Sequence, residues 1–285
     1  MGAYLRPTAL PGAIAALASG AGSRDRPWII LAGATDHYPA RVGRALDEDV
    51  LDITAIAELR GIEAVRDGWR IGALTTWTDL VEMDLPPLFD GLRAAAVAVG
   101  GLQIQARATV VGNVCNASPA ADGMPNLVAM DAEVELDSSR GPRRVPVHEF
   151  VTGNRRTVRA ADELVTGLFV PAPIAGTIVG SAFEKLGSRA YLVISIAMVA
   201  AIVEVDGEGR IARARVAVGA CSEVAQRLPA LEAALVGVPA TAAVADLVTP
   251  DHLANLSPID DVRGTAAYRR EAALEVVRRA LARAL

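Results

Sequence analysis

Apolar residues along the chain recur in short runs that predict β-strands. The predicted strands are Trp28 to Leu31, Val50 to Asp52, Ile62 to Arg66, Trp69 to Ala73, Glu133 to Leu136, Leu164 to Val170, Ser181 to Leu186 and Ala212 to Val218. An Asp-Gly pair is typical of a tight turn, so Asp67-Gly68 predicts a hairpin. The apolar segment from Ile194 to Val205 is compatible with a helix or with a strand.

Apolar residues at helical spacing predict helices elsewhere. They are Ile14 to Ala18, a short helix capped by Thr78-Asp79, Leu88 to Val99, Pro229 to Leu235 and Ala266 to Leu285, with one more between the loop after Leu31 and Val50. The last helix carries its apolar residues on one stripe: Ala273, Val277, Leu281 and Leu285. Its arginines lie off that stripe: Arg269, Arg270, Arg278, Arg279 and Arg283. We therefore expect this helix to present a basic face to solvent or to a partner.

Proline and glycine divide the chain after the strand that ends near Val170. Pro171, Pro173, Gly176 and Gly180 follow that strand closely, and such residues are typical of a linker. We predict two domains, 1–175 and 176–285, the first with lobes of about 1–57 and 58–175.

Composition excludes several classes of protein. The 285 residues are 52% hydrophobic and 21% charged, which is typical of an ordered globular chain. A net charge of −5 argues against a nucleic-acid surface. The unbroken apolar run from Ala190 to Val203 is too short to span a bilayer, so we predict no membrane span.

The two cysteines and three histidines have no ligand spacing. They predict neither an iron–sulfur cluster nor a metal site in this chain. This cysteine usage favours a reducing compartment and predicts a cytoplasmic protein.

The segment from Thr109 to Asp122 carries the most specific chemistry. It contains no lysine or arginine, and Gly112 follows a β-branched run. Its polar side chains are Asn113, Asn116, Ser118 and Asp122. A glycine loop with neutral donors and one carboxylate suits a pyrophosphate and a polyol, held by backbone N–H groups without a charge clamp. The alternative is a turn that satisfies its own backbone.

A second loop of small residues, from Ala32 to His37, follows the predicted strand Trp28 to Leu31. A strand that ends in such a loop is where α/β folds place nucleotide phosphates. Neither loop is a Walker A or a GxGxxG motif. Gly20-Ala21-Gly22 follows a helical stretch and lacks the third glycine, so we do not assign it to nucleotide binding.

At these two loops the chain resembles the FAD-binding subunits of molybdenum hydroxylases, a family that includes the medium subunit of carbon monoxide dehydrogenase and the flavin domain of xanthine dehydrogenase. The resemblance continues in Met130 to Leu136, Phe183 to Arg189 and Val216 to Ala220. It implies an α+β fold. A two-lobed FAD-binding N-terminal domain, like that of vanillyl-alcohol oxidase, would precede a C-terminal α+β domain with an antiparallel sheet. Ala34 and Val111 depart from the family's glycine pairs, and the methyl group of Ala34 is expected to crowd a pyrophosphate or to oppose a positive φ.

The resemblance also implies the site and its chemistry. Ile30 to His37 and Thr109 to Asn113 would surround the pyrophosphate, Asn116 and Asp122 would hold ribityl or ribose hydroxyls, and Lys185, Tyr191 and Ile194 would lie near the flavin ring. The full candidate set is Ile30, Leu31, Ala32, Gly33, Ala34, Thr35, Asp36, His37, Thr109, Val111, Gly112, Asn113, Asn116, Ser118, Asp122, Lys185, Tyr191 and Ile194. Two alternatives stay open: Lys185 as a surface lysine at a strand end, and Tyr191 as ordinary core.

The implied function is electron transfer. Electrons would pass from a [2Fe–2S] subunit through this chain's FAD to a terminal acceptor, while a molybdopterin subunit hydroxylates the substrate, in a dimer of heterotrimers. The chain contains no GxSxG, HExxH or Cys–His arrangement, which agrees with chemistry carried by a cofactor. Candidate partner contacts are Arg155, Arg156, Arg159 and the basic face of the last helix. The alternatives are a non-redox scaffold that has lost FAD and a stand-alone FAD oxidase.

Overall fold

The computed structural model describes residues 2–19, 27–43 and 47–285. The strands are β1 (Tyr4–Leu5), β2 (Ile29–Leu31), β3 (Val50–Asp52), β4 (Ile62–Val65), β5 (Gly68–Gly72), β6 (Glu133–Asp137), β7 (Arg143–Pro146), β8 (Val151–Gly153), β9 (Arg156–Thr157), β10 (Leu164–Pro171), β11 (Ile178–Leu186), β12 (Ala197–Val205), β13 (Ile211–Gly219) and β14 (Gln226–Arg227). The α-helices are α1 (Leu10–Ala18), α2 (Trp77–Glu82), α3 (Asp90–Ala98), α4 (Leu102–Gln105), α5 (Val110–Asn116), α6 (Gly123–Ala129), α7 (Val147–Phe150), α8 (Pro229–Leu235) and α9 (Ala266–Ala284). None of the helices in these ranges is long and apolar enough to cross a membrane.

A small parallel sheet and a larger antiparallel sheet form the first part of the fold. The parallel sheet has the order β1-β3-β2, and the antiparallel sheet has the order β4-β5-β10-β6-β7. Because β2 pairs in parallel with β3, the residues after Leu31 leave the sheet at its carboxyl edge. The loop 32–37 therefore begins at the edge where such sheets hold ligands.

The second part is built on a four-stranded antiparallel sheet with the order β11-β12-β13-β14. Residues Ala197 to Glu204 of β12 are all buried, because α9 covers one face of the sheet and α6 packs against the other. A strand buried on both faces shows no alternation of polar residues. That is why the sequence could not separate helix from strand between Ile194 and Val205; this segment forms β12.

Helix α6 packs against the four-stranded sheet and against α3 and α5 of the first part, and it is buried along its whole length. A helix that is buried all round needs no polar face. Burying a leucine such as Leu127 contributes about 1.5–3 kcal/mol. The start of α6, at Asp122, is therefore held at a fixed place between the two parts of the fold.

Several predictions about individual helices are wrong. Where a helix was expected before Val50, the described residues form a 3₁₀ turn at Pro39–Arg41, and residues 44–46 lie outside the described ranges. Thr76, and not Thr78, caps α2, in a reciprocal capping box with Asp79. In α9, Leu285 is 40% exposed and Arg269 is buried, where it donates to the carbonyl oxygens of Ile196 and Ala220 and pairs with Asp261 at 2.6 Å. Arg269 is therefore not part of an exposed basic face.

Candidate functional site

A cavity of about 690 Å³ lies between the loop after β2 and helix α5. Its lining includes Ile30, Leu31, Ala32, Gly33, Ala34, Thr35, Asp36, His37, Thr109, Val111, Gly112, Asn113 and Asn116. Most of the residues predicted from the two loops therefore meet at one place. The volume is in the range of small-molecule and cofactor sites.

The two loops meet because Gly33 has no side chain. A Cβ atom at this position would lie only 2.8 Å from Cα of Ala108 and closer still to the carbonyl oxygen of Arg107, whereas real Cβ contacts essentially never fall below 3.0 Å. Hydrogen bonds tie the 107–110 backbone in turn to the 75–77 segment, from Trp77 N to Ala108 O at 3.2 Å and from Val110 N to Thr75 O at 3.0 Å.

The loop after β2 offers unused backbone donors to the cavity. Within the described residues, the N–H groups of residues 33–37 donate to no carbonyl or side-chain acceptor. Ala34 has φ of 57°, so its methyl group does not prevent the left-handed conformation that the sequence led us to doubt. Consecutive free N–H groups around a left-handed residue form a concave binding site for anions.

The segment from Thr109 to Asn116 was expected to be a loop, and it is helical instead. Thr109 caps α5, and its Oγ1 accepts a hydrogen bond from Gly112 N at 2.9 Å. Gly112 does not have a positive φ. A Cβ at Gly112 would lie 2.7 Å from Oγ1 of Thr109, so glycine at this position preserves the cap.

Three arginines that the sequence did not assign to the site also line the cavity: Arg41, and Arg155 and Arg159, which were expected as partner contacts. Arg155 lies at the tip of the β8–β9 hairpin and pairs with Asp36 at 2.6 Å, and it also donates to Asn116 Oδ1. Hydrogen bonding to Arg155 lowers the pKa of Asp36 below its ordinary value. The two loops themselves carry no arginine, yet the fold supplies positive charge to their cavity.

Three ring nitrogens on lining residues are buried without a hydrogen-bond partner among the described residues: Trp28 Nε1, His37 Nε2, which lies 3.5 Å from Glu48 Oε2, and Trp77 Nε1. Burial lowers the pKa of His37, which favours the neutral ring. Unsatisfied buried polar atoms are costly and call for an explanation such as an absent ligand. Together with the free N–H groups and the arginines, they fit a dinucleotide with an anionic centre and polar groups along its length.

The remaining predicted residues lie outside this cavity. Ser118 accepts a hydrogen bond from Ala120 N at 3.3 Å, as in a local turn. Tyr191 and Ile194 are about half exposed, so Tyr191 is not a core residue. Asp122 and Lys185 are both largely buried and form an ion pair of 2.7 Å, so Lys185 is not a surface lysine.

Asp122 also accepts a hydrogen bond from Ser195, with Oγ 2.6 Å from Oδ1. Burial raises the pKa of the Asp122 carboxyl, while Lys185 and Ser195 oppose that rise. Sequence reasoning missed Ser195, because its partner lies 73 positions away. Among the described residues, no group of three or more His, Cys, Asp and Glu side chains could hold a metal ion.

Two protein-family models match this chain. The family model described as "FAD binding domain in molybdopterin dehydrogenase" matches residues 1–173, and the model described as "CO dehydrogenase flavoprotein C-terminal domain" matches residues 181–284. The xanthine dehydrogenase FAD-binding subunit of Escherichia coli O157:H7 is 32% identical over 248 residues, which cover 84% of this chain and 82% of that subunit.

Two further proteins extend the similarity. The carbon monoxide dehydrogenase medium chain of Hydrogenophaga pseudoflava is 30% identical over 257 residues, which cover 88% of this chain and 87% of that one. The structure of reconstituted CO dehydrogenase from Oligotropha carboxidovorans contains a chain that superposes with a TM-score of 0.88 at 27% identity, covering 100% of this chain and 97% of that one.

Proposed function

The chain belongs to the family of FAD-binding subunits of molybdopterin dehydrogenases, and from this we propose that it binds one FAD, noncovalently and extended, beginning in the cavity between Gly33 and α5. The predicted family and the α+β fold class are confirmed by the same matches. The chain is an oxidoreductase component of the molybdenum hydroxylase type. The observation that carries the proposal is the contact of Gly33 with the Arg107 carbonyl, which joins both loops around one cavity.

The residues take distinct roles in this proposal. The free N–H groups of 33–37 would bind the pyrophosphate, with Arg155 and Arg159 supplying positive charge. Asn116 and Asp122 would serve the ribityl or ribose hydroxyls. Lys185, Tyr191 and Ile194 would lie near the flavin ring, and the exposed faces of Tyr191 and Ile194 leave them free to contact it.

A bound FAD would supply electron transfer between a partner [2Fe–2S] subunit and a terminal acceptor. We propose that a molybdopterin subunit completes the complex and that the assembly is a dimer of heterotrimers. Support comes from relatives whose names describe subunits of dehydrogenases. We further propose two domains, residues 1–175 and 176–285, and a division of the first into lobes of about 1–57 and 58–175. We also propose that the protein is cytoplasmic.

The decisive experiment is purification of the natively expressed chain with its partners. We expect a species much larger than the 29.6 kDa chain, with a flavin absorbance band, iron and molybdenum. Heat-released flavin should be FAD. Release of FMN, or no flavin after supplementation with FAD, would refute FAD binding and favour the non-redox scaffold. A lone monomer that oxidises a substrate would favour the stand-alone oxidase.

A further inference from the structure

The carboxylate of Asp122 is enclosed by two donors from the second part of the fold. Lys185 Nζ, on β11, lies 2.7 Å from Oδ2, and Ser195 Oγ, just before β12, lies 2.6 Å from Oδ1. Asp122 is 7% exposed and Ser195 is 1% exposed. Lys185 Nζ also reaches the carbonyl oxygen of Ala98 at 3.4 Å. The three side chains therefore join the start of α6 to β11 and to the segment just before β12.

Each carboxylate oxygen depends on one of these donors. A buried carboxylate that loses a donor bears the cost of an unsatisfied charged group. Without the Ser195 hydroxyl, Oδ1 would have no side-chain donor among the described residues. The carboxylate would then be free to turn, and the ammonium of Lys185 would lose its fixed partner.

Ser195 also ends the segment that carries Tyr191 and Ile194. This segment connects β11 to β12, and its side chains at 191, 192 and 194 are about half exposed. The side chains of Leu192 and Tyr191 lie near Gly101, beyond the end of α3, where a Cβ atom would be 3.5 Å and 3.9 Å from them. At the C-terminal end of this segment, the hydrogen bond from Ser195 to Asp122 connects it to α6. The next residue, Ile196, donates its backbone N–H to the carbonyl oxygen of Leu186 at 2.8 Å.

We propose that Ser195 is a positioning residue for the flavin-ring end of the site: through Asp122 it holds Lys185 in place and sets the position of the 187–195 segment. This inference rests on the proposed function, because it assigns Lys185 and Tyr191 to the flavin ring. Ser195 itself need not touch the cofactor.

The test compares Ser195→Ala with a matched control, Ser181→Ala, in the full chain. Ser181, on β11, also joins the two parts of the fold, since its Oγ accepts a hydrogen bond from Gly91 N at 3.2 Å, but it has no bond to Asp122.

We expect Ser195→Ala to raise the dissociation constant of FAD about tenfold, which is the effect of losing one hydrogen bond to a charged group. It should also make the midpoint potential of the bound flavin more negative, because a displaced ammonium stabilises the reduced, negatively charged flavin less. Ser181→Ala should change thermal stability alone.

A double-mutant cycle with Asp122→Asn tests whether Ser195 acts through Asp122. If it does, the double variant should bind FAD no more weakly than Asp122→Asn alone. Additive effects on affinity and potential, or a Ser195→Ala protein that behaves like Ser181→Ala, would overturn the inference. If Ser195→Ala does not fold, Ser195→Cys, which keeps the volume with a weak donor, replaces it in the cycle. Failure of the wild-type chain to bind FAD would instead refute the proposed function.

Discussion

Gly33 packs directly against the carbonyl group of Arg107, with no room for a Cβ atom between them. Gly33 belongs to one of the two segments that the sequence singled out, and Arg107 lies two residues before the other, which begins at Thr109. Their contact brings the two segments together, and residues of both line one cavity. The requirement for glycine here is steric, since Gly33 does not have a positive φ.

Gly33→Ala should therefore push the two segments apart. We expect a loss of about 1–3 kcal/mol in the free energy of unfolding, as in other overpacked sites, together with weaker FAD binding. Urea denaturation and a flavin titration measure the two effects. Gly207→Ala is the control, because nothing lies within 4 Å of a Cβ built at Gly207. Equal stability of the two variants would contradict the steric argument.

Ala34→Gly should have the opposite effect. Ala34 has φ of 57°, and the left-handed conformation costs an L-residue about 1–2 kcal/mol. Greater freedom of glycine in the unfolded chain offsets part of this gain, so we expect a net stabilisation of about 0.5–1 kcal/mol and FAD binding about two- to fivefold tighter.

Ala15→Gly, on the exposed side of α1, is the matched control for this substitution. It should lower stability by about 1 kcal/mol, because glycine disfavours a helix interior. A loss of stability in both variants would show that Ala34 is not strained.

The sequence predicted the elements whose signal is local. The hairpin at Asp67-Gly68 and helix α8 at Pro229–Leu235 lie where turn chemistry and periodicity indicated. Helix α5 was missed because glycine, asparagine and β-branched residues are poor helix formers. Its formation depends on the Thr109 cap and on burial of Val110, Val111 and Val114.

The site was predictable only in part, because some of its contacts join residues that are far apart in the sequence. The loop residues carry their own signal of small size and polarity. The Asp36–Arg155 pair spans 119 positions and the Asp122–Ser195 bond spans 73. No periodicity or motif encodes such pairings, which arise only when the β8–β9 hairpin and the second sheet are packed in place.

Glu163 should make the stability depend on pH. Its buried carboxylate accepts from Arg143 Nε at 2.6 Å and from Ala160 N at 2.8 Å. The hydrogen bond from Arg143 is the main cause that lowers its pKa below the ordinary value of 4.5. The folded state therefore binds this proton less readily than the unfolded state, so the stabilisation is fully present above about pH 4.5 and is lost as pH falls through the lowered pKa.

Glu163→Gln should remove this contribution, which we expect to be about 1–3 kcal/mol at pH 7. The difference from wild type should shrink as pH falls below about 4.5, and denaturation series at pH 7 and at acidic pH measure it. Glu149→Gln is the control, since that side chain is exposed and its neighbour is His148 at 3.7 Å. A difference that stays constant across this range would exclude the ion pair as its source.

Arg155→Gln should weaken FAD binding through charge. Arg155 lines the cavity and neutralises Asp36, so its removal takes away a cation and leaves a carboxylate beside the proposed pyrophosphate. We expect the dissociation constant to rise about tenfold at low salt and less at high salt, because the pair is exposed and salt screens it. Arg156→Gln is the matched control, because the guanidinium of Arg156 pairs with Glu223 at 2.9 Å and does not line the cavity.

A second variant tests the contribution of charge directly. Adding Asp36→Asn to Arg155→Gln should restore part of the affinity for FAD, since the repulsive carboxylate is gone. Equal affinities of the Arg155 and Arg156 variants would place the pyrophosphate away from Arg155 and leave its binding to the backbone N–H groups of residues 33–37.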